Sequence, residues 1–424
     1  MQSKRVWARA LGFERDTVIE GVRDDGGSVV VACRLRKNAV RRCGICSQRA
    51  PRYDRGGGGL RRWRALDAGT AKVFIEAEAP RVRCRSHGVT VAAVPWARHG
   101  AGHTRGFDAQ AAWLAVHVSK SAVVELLRVG WRTVGAIVER VQADIDESVD
   151  RLDGLVRIGI DEISYKRGHR YLTVVVDHGT GRLVWAAAGK DDATLHRFFD
   201  ELGDERAAQI THVTADMATW IARVVAARAP GAVRCADPFH VVAWATDALD
   251  VERRRAWNQA TGRRRTDPVT GRHDMAVGTA QTIKRSRYAL WKNPENLTDR
   301  QQAKLGWIAK TDPTLHRAYL LKEGLRLAFQ LKGDAGKEAL DRWTSWARRC
   351  RIPAFVELQR RIAKHRDAID AALESGLSNG LIESTNTKIR LITRIAFGFH
   401  SPEPLIALAL LALGGHCPPL PGRT

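Results

Sequence analysis

Three acidic side chains, Asp161, Asp216 and Glu383, stand where distant parts of the chain are expected to meet. Asp161 and Asp216 each follow a short apolar run typical of a buried strand, and functional groups of open α/β sheets gather near strand ends. Carboxylate oxygens without convergent His or Cys suit Mg²⁺ or Mn²⁺, and two such ions can clamp the attacking and leaving oxygens of phosphoryl transfer. The spacing therefore predicts a two-metal phosphodiester site.

Other acids compete for this role. Glu162 adjoins Asp161, but adjacent strand residues point to opposite faces, so only one of them can face the metals. Further acids near strand ends or turns are Asp177, Asp191, Asp192 and Asp237. Asp237 is the strongest substitute, whereas Asp191 and Asp192 are expected to cap a helix.

The third acid lies in the stretch SGLSNGLIESTNTKIRLI, residues 375–392, whose apolar spacing predicts a helix. Its expected buried stripe is Ile382, Ile389, Ile392 and Ile395. The expected polar row on the other side is Asn379, Glu383, Asn386, Thr387, Arg390 and Arg394. Asn386 and Arg390 are candidate phosphate contacts, with an ordinary surface role as the alternative.

Two short pairs near the N-terminus have the spacing of metal ligands: Cys43-Gly-Ile-Cys46 and Cys84-Arg-Ser-His87. A two-residue gap lets a tight turn direct both side chains at one ion, and four such ligands make a tetrahedral structural zinc site. Cys33 is a spare thiol and an alternative to His87 as the fourth ligand. We expect this zinc ion to stabilise the fold and to take no part in catalysis.

The charge balance points to a polyanionic partner. The chain has 424 residues, with 69 Lys and Arg against 46 Asp and Glu, a net charge of +23 and a pI near 10.4. Nucleic acid is the expected partner rather than a membrane, since the longest apolar run, LIALALLAL at 405–413, is half a membrane span. Without a disulfide pattern or an apolar signal segment, we expect a cytoplasmic protein with reduced thiols.

A helix-turn-helix is predicted between residues 105 and 147. SKSAVVELLRVG and WRTVGAIVERVQADI join at Val129-Gly130-Trp131. Ser119 or Ser121 is expected to cap the first helix, and Thr133 is expected to open the second. Arg132 and Thr133 then lie in a first turn that meets DNA.

The remaining pattern predicts five domains. Residues 1–100 form the zinc-ribbon-like β module and 101–150 the helix-turn-helix. Strands at 155–161, 169–177, 181–189, 209–216 and 231–237, with helices at 191–203 and 218–229, predict a mixed α/β sheet with flanking helices in 151–245. Residues 246–375 form an all-α insertion, and 376–424 hold the last catalytic helix and the end of the core.

Four sequence blocks resemble the ISL3 family of insertion-sequence transposases: IGIDEISYKRGHRYLTVVVD, VTADMATW, CADPFHVV and NGLIESTNTKIRLITRIAFGFHSPE. The resemblance covers almost the whole chain and implies a ribonuclease-H-like core with a DDE triad at Asp161, Asp216 and Glu383. It also implies a helical insertion before the last catalytic helix. One departure is that the second knuckle of the family is usually Cys-x-x-Cys, whereas this chain has Cys84-x-x-His87.

The resemblance implies a DNA transposase that binds terminal inverted repeats, cleaves the ends of its transposable element with two Mg²⁺ or Mn²⁺ ions and joins them to target DNA, as a homodimer or larger assembly. Expected contacts to the DNA backbone are Arg253, Arg254, Arg255, Lys284 and Arg285, within basic clusters at 252–265 and 283–287. His240 is expected to support the active site or merely to cap a helix. The alternative functions are a DNA-binding regulator and a ribonuclease-H-like nuclease without strand transfer.

Overall fold

The computed structural model describes residues 2–13, 16–36, 41–56, 59–262 and 276–423. Its chain divides into two compact units. The first comprises Met1–Asp150 with Ile392–Thr424, and the second comprises Arg151–Leu391. This division differs from the expected domain at 376–424, because the chain from Ile392 onward groups with the first 150 residues.

The first unit begins with helix α1 and two small sheets. The bounds are α1 Gln2–Ala10, β1 Thr17–Asp25, β2 Ser28–Leu35, β3 Arg52–Asp54, β4 Leu60–Ala68, β5 Ala71–Glu78, β6 Arg81–Cys84 and β7 Gly88–Val91. One sheet has the order β1-β2-β5-β4, in which β2 and β5 run parallel. The other has the order β3-β6-β7 and is antiparallel. Buried Val31, Trp63, Ile75 and Trp96 form the centre of the larger sheet's core.

The predicted helix-turn-helix is present in the first unit. Helices α2 Arg105–His117, α3 Lys120–Leu127 and α4 Trp131–Ser148 follow the sheets. Ser119 caps α3, since its Oγ accepts a 3.2 Å hydrogen bond from the backbone N–H of Ala122. The turn uses Arg128 in the left-handed region, at φ 55°. Helix α4 begins at Trp131, so Thr133 lies inside its first turn and does not open it.

The second unit is built on a five-stranded mixed sheet. Its elements are β8 Arg157–Lys166, β9 Arg170–Asp177, β10 Leu183–Ala188, α5 Asp192–Leu202, α6 Asp204–Ala207, β11 His212–Ala215, α7 Thr219–Arg228 and β12 Val233–Ala236. The strand order is β10-β9-β8-β11-β12. Strands β8, β9 and β10 are antiparallel neighbours, while β8, β11 and β12 run parallel. The five strands and both helices predicted here are confirmed.

Strand β8 is longer than predicted. It continues past Asp161 because it stays paired with β9 as far as Lys166 opposite Arg170. Asp161 therefore lies in the middle of a strand, whereas the sequence predicted that it would end one.

Helices occupy the described residues between 238 and 375, as predicted. Their bounds are α8 Pro238–Gly262, α9 Ala276–Arg285, α10 Arg287–Trp291, a 3₁₀ turn at Pro294–Asn296, α11 Asp299–Thr311, α12 Pro313–Leu331, α13 Gly333–Arg349, α14 Pro353–Lys364 and α15 Arg366–Ser375. Their apolar faces share one core with Val241 and Leu249 of α8. This core holds α8 and α15 beside the edge strand β12.

Two helices complete the chain, α16 Gly380–Ile395 and α17 Glu403–Leu413. Helix α17 belongs to the first unit, where Leu408 and Leu411 share a buried cluster with Ile137 and Val141 of α4. It carries the long apolar run but has only 11 residues. Within the described ranges, no helix is both long enough and apolar enough to cross a membrane.

Candidate active site and zinc centre

Asp161 is held by two hydrogen bonds from different parts of the second unit. Its Oδ1 accepts a 2.8 Å bond from the backbone N–H of Glu162. Its Oδ2 accepts a 2.7 Å bond from Nδ2 of Asn386 on α16. Asn386 is 2% exposed, so it is not the surface residue that the polar row predicted. The bond joins the helix of Glu383 to the central strand of the sheet.

Asp216 reaches the same place through strand pairing. Strands β11 and β8 are parallel, with Ala215 opposite Ile160, so Asp216 and Asp161 follow at the next position of each chain. Oδ1 of Asp216 accepts a 2.6 Å bond from the backbone N–H of Met217. Burial raises the pKa of Asp161, and the negative charge of Asp216 raises it further. The two carboxylates are therefore close enough to repel each other.

Glu383 lies in the first turn of α16 and is partly buried. Burial raises its pKa, and the charges of Asp237 and Asp161 add to the increase, while His240 and Arg390 oppose it. The structure thus brings Glu383 into the electrostatic neighbourhood of Asp161. Among the described residues, the three acids do not form a set whose oxygens all lie within 4.8 Å of one another. Ligands shared between two ions about 3.5–4 Å apart do not require so tight a set.

Asp237 connects α8 to α16. It is 1% exposed, and its Oδ1 accepts a 3.2 Å bond from the backbone N–H of Asn379. Its Oδ2 accepts a 3.2 Å bond from the backbone N–H of His240 and lies 2.7 Å from that residue's Nδ1. Burial alone would raise the pKa of Asp237, but these contacts lower it. The alternative acid is thus engaged in joining two helices.

His240 carries positive charge among the acids. Its contact with Asp237 raises its pKa to about 9 against the opposing effect of burial, and the charges of Asp216 and Asp161 contribute. The two interpretations of His240 are therefore compatible, because it lies in the first turn of α8 and also faces the acidic cluster. The positive charge of His240 offsets the negative charge of the partly buried carboxylates around it.

The remaining acids have separate structural partners. Glu162 is half-buried, with Oε1 3.8 Å from the Lys190 ammonium, and burial raises its pKa. Asp177 accepts backbone hydrogen bonds within the turn between β9 and β10. Asp191 caps α5 as predicted, accepting a 2.8 Å bond from the Thr194 backbone N–H. Asp192 instead forms an ion pair with Arg223.

Two amides of the predicted polar row are buried at this site. Asn379 and Asn386 are 1% and 2% exposed. Asn386 was predicted as a candidate phosphate contact, whereas its hydrogen bond to Asp161 was not predicted. Of the predicted apolar stripe, Ile382 and Ile389 are fully buried, whereas Ile395 is 42% exposed. The available signal was the spacing of the amides, four residues before Glu383 and three after it, which puts them on one helix side with the acid. The hydrogen bond from Asn386 to Asp161 turns this side of α16 toward the sheet.

The four zinc ligands predicted from the knuckle spacing converge in the first unit. The Sγ atoms of Cys46 and Cys84 are 3.7 Å apart. Nδ1 of His87 lies 3.8 Å from Sγ of Cys43 and 3.6 Å from Sγ of Cys84. Zinc bonds of about 2.3 Å to sulfur and about 2.0 Å to nitrogen place tetrahedral ligands roughly 3.5–3.8 Å apart. The geometry fits a structural zinc ion, and the contact with His87 lowers the pKa of Cys84 to about 6.

Cys33 is not part of this cluster. It lies in β2, is 4% exposed and contacts the Val31 carbonyl oxygen at 3.6 Å. Burial, with a contribution from Glu20, raises its pKa to about 12, so its thiol stays protonated. His87 is therefore the fourth member of the set.

The two residues of the helix-turn-helix that were predicted to contact DNA are at least partly accessible to solvent. Arg132 is exposed and Thr133 half-buried in the first turn of α4. In the second unit, Arg390 is exposed on α16, and its charge lowers the pKa of both Asp161 and Glu383.

The basic cluster on α8 divides into accessible and buried members. Arg253 is 8% exposed, and its Nη2 lies 2.8 Å from Asp250, so little of its side chain is accessible, and its contact with DNA stays a prediction. Arg254 and Arg255 keep 60% and 46% of their side chains exposed while pairing with neighbouring acids. On α9, Lys284 and Arg285 are exposed. Residues 263–265 of the predicted cluster lie outside the described residues.

Comparison with known proteins agrees with these features. Three family profiles match: a transposase profile of the DDE type from the ISL3 group at residues 158–409, the helix-turn-helix domain of transposase family ISL3 at 92–142, and the zinc-finger of transposase IS204/IS1001/IS1096/IS1165 at 39–87. The transposase for insertion sequence element IS1557 of Mycobacterium tuberculosis is 64% identical over 437 aligned positions, which cover 100% of this chain and 98% of that protein. The transposase for insertion sequence element IS1001 of Bordetella parapertussis is 28% identical over 285 positions, 66% of each chain. This chain belongs to the ISL3 family of insertion-sequence transposases.

Proposed function

We propose that the chain binds the terminal inverted repeats of its insertion sequence and catalyses metal-dependent DNA cleavage and strand transfer. The observation that carries the proposal is the hydrogen bond from Asn386 to Asp161. It brings Glu383, on α16, to the strand pair that displays Asp161 and Asp216. We infer that residues far apart in the sequence contribute to one acidic site.

A ribonuclease-H-like core is part of the proposal. The order β10-β9-β8-β11-β12, with three antiparallel strands followed by two parallel additions, supports it. So does the helical stretch between the second and third acids.

The donor set fits divalent magnesium or manganese. Asp161, Asp216 and Glu383 offer only carboxylate oxygens, the ligands that hard cations prefer. Burial and repulsion by neighbouring acids raise the pKa of Asp161 and Glu383. A bound cation would stabilise the charged form of both carboxylates. When bound, two such ions would activate the attacking oxygen and stabilise the leaving oxygen of the phosphodiester.

The chain's own residues then position the reactants. Asn386 fixes one oxygen of Asp161, which leaves the carboxylate a single orientation. His240 places a positive charge where the scissile phosphate would enter, and exposed Arg390 adds a second. Water attacks the phosphodiester at the element end, and the freed 3′-hydroxyl then attacks target DNA, without a covalent bond between protein and DNA.

DNA recognition is assigned to the first unit. The zinc-binding sheet and the helix-turn-helix present Arg132 and Thr133 to the terminal repeat. Contacts to the DNA backbone are assigned to four residues of the second unit, Arg254, Arg255, Lys284 and Arg285. Because two ends must be processed together, the active form on DNA is at least a dimer.

The test is cleavage of terminal-repeat DNA by the full chain in Mg²⁺. Asp161→Asn, Asp216→Asn and Glu383→Gln should each abolish cleavage while retaining DNA binding, because each removes one metal-binding charge. Asp204→Asn is the matched control, since the Asp204 side chain is 92% exposed. Full cleavage by Asp161→Asn would end the proposal. Joining of pre-cleaved ends to a target plasmid separates a transposase from a nuclease that only cuts.

A further inference from the structure

An open groove lies between α8 and α14 in the second unit, outside the acidic site. Its volume is about 560 Å³. Its lining includes Trp244, Asp247, Leu358, Arg361, Lys364 and His365. This volume is within the usual range for ligand sites, roughly 300–1,000 Å³.

The groove has a flat stacking surface. The Arg361 guanidinium lies over the indole of Trp244, with its carbon 3.6 Å from the ring centroid. The imidazole of His365 is 6.0 Å from the same indole, centroid to centroid. Arg361 is itself exposed, so the outer face of its guanidinium is open to a further planar group. Guanidinium planes and aromatic rings are the surfaces on which nucleic acid bases stack.

The groove is also electropositive. Glu357 pairs with Arg360 at 3.1 Å, but in the described part of the chain no acid forms an ion pair with Arg361 or Lys364. Burial lowers the pKa of His365, and the charges of Lys364, Arg361 and Arg234 lower it further. Asp247 is the one other acid in the lining. The net charge favours an anionic ligand.

The groove starts close to the acidic site. Trp244 follows His240 by four residues on α8, so both side chains lie on one side of that helix, about 6 Å apart along its axis. His240 contacts Asp237 at 2.7 Å and is close enough to Asp216 and Asp161 for their charges to raise its pKa. A DNA strand that passes His240 would therefore continue directly into the groove.

We propose that this groove binds an unpaired nucleotide of the DNA strand next to the cleavage point, with the base stacked on the Arg361 guanidinium, which itself lies over Trp244, and a phosphate held by Lys364. A duplex backbone needs only accessible cations, whereas a concave pocket with a stacking surface suits a base that has left the duplex. The inference rests on the proposed function, because it assigns a part of the same DNA substrate to the groove.

Photocrosslinking to a short oligothymidylate that carries iododeoxyuridine tests the proposal. The full chain is irradiated with this probe without added Mg²⁺, and the crosslinked peptides are identified by mass spectrometry. Crosslinks are expected at His365, which lines the groove beside Arg361. Arg361→Ala and Arg361→Lys should each weaken them by at least roughly fivefold, because both lose the planar stack and the second keeps the charge. Arg342→Ala, an equal loss of charge at a side chain that is 71% exposed on α13 and outside the groove lining, should leave them unchanged.

The outcomes separate this inference from the proposed function. Crosslinks confined to other segments, or crosslinks at His365 that persist at full strength in both Arg361 variants, would overturn the groove assignment. Competition by free thymidine monophosphate as strong as that by the oligonucleotide would also overturn it, since the site would then bind nucleotides rather than a strand. Failure of the wild-type chain to cleave DNA in Mg²⁺ would refute the transposase chemistry and leave the crosslinking result standing.

Discussion

The side-chain amide of Asn386 donates a 2.7 Å hydrogen bond to Oδ2 of Asp161 across 225 positions of sequence. Asp161 has a second donor in the Glu162 backbone N–H, so its carboxylate cannot rotate without losing one bond. Asn386 thus acts through Asp161 as a positioning residue. Supporting residues of this kind commonly matter nearly as much as the metal ligands that they orient.

We expect Asn386→Ala to lower the rate of DNA cleavage by roughly 10- to 100-fold, because a freed Asp161 holds the metals less well. The measurement is the single-turnover cleavage rate at increasing Mg²⁺, where the variant should need more metal for half-maximal rate. Thr387→Ala is the control, since Thr387 is exposed and its hydroxyl donates to the Glu383 carbonyl of the same helix, at 2.9 Å. A normal rate with a normal Mg²⁺ requirement in Asn386→Ala would contradict this role.

Zinc content should distinguish the two candidate fourth ligands. Cys33→Ala is expected to retain one zinc per chain, because Cys33 lies in the core of another sheet, whereas His87→Ala should lose zinc or bind it more weakly. Atomic emission of the purified proteins measures the metal. Loss of metal should also unfold the small β3-β6-β7 sheet, since structural zinc contributes directly to folding. Equal zinc content in wild type and His87→Ala would exclude His87 as a ligand.

Arg253 and Arg254 should respond oppositely to truncation although they are sequence neighbours. Arg253→Ala removes a buried ion pair with Asp250, so the free energy of unfolding should fall by about 1–3 kcal/mol. Arg254→Ala removes a largely exposed charge and should leave the unfolding midpoint nearly unchanged while weakening DNA binding. Urea unfolding and fluorescence anisotropy with duplex DNA measure the two effects. The reverse pattern would show that α8 faces DNA with its Arg253 side.

Truncation of Arg132 tests the helix-turn-helix. If Arg132 contacts a phosphate, Arg132→Ala should reduce the slope of log affinity against log salt concentration by about 0.9, because one fewer counterion is released. Arg342→Ala, an equal loss of charge at a side chain 71% exposed on α13, should leave the slope unchanged. An unaltered slope in Arg132→Ala would place the DNA on another face of the unit.

Lys322 offers a stability test of the helical block. It is 1% exposed, and its ammonium donates to the carbonyl oxygens of Leu290 and Trp291 at 3.0 and 3.5 Å, which satisfies the end of α10. Lys322→Met should lower the free energy of unfolding by a few kcal/mol, roughly 1–3 for each carbonyl left unsatisfied. Chemical denaturation measures the loss. Unchanged stability would mean that water replaces the ammonium at these carbonyls.

Local patterning predicted most of the sheet and of the helical block, since the periodicity of apolar residues sets the faces of strands and helices. It failed where partners come from distant sequence. Strand β8 extends beyond Asp161 because β9 continues to pair with it. The sequence around Asp161 gives no sign of this pairing, so the strand was predicted to end at the acid. Asn386 and Arg253 looked like surface residues by type and are buried because Asp161 and Asp250 satisfy their polar groups. The packing of Ile392–Thr424 with the first unit is not visible in local sequence patterns, because it depends on contacts with residues far earlier in the chain.

The position of α17 has a consequence for synthesis of the protein. Its Leu408 and Leu411 share a core with α2 and α4, which were translated almost three hundred residues earlier. Domains usually fold in order as the ribosome extends the chain. Here α2 and α4 acquire their full apolar lining only after α17 has been synthesised, so a product that terminates before α17 would leave part of the helix-turn-helix core uncovered.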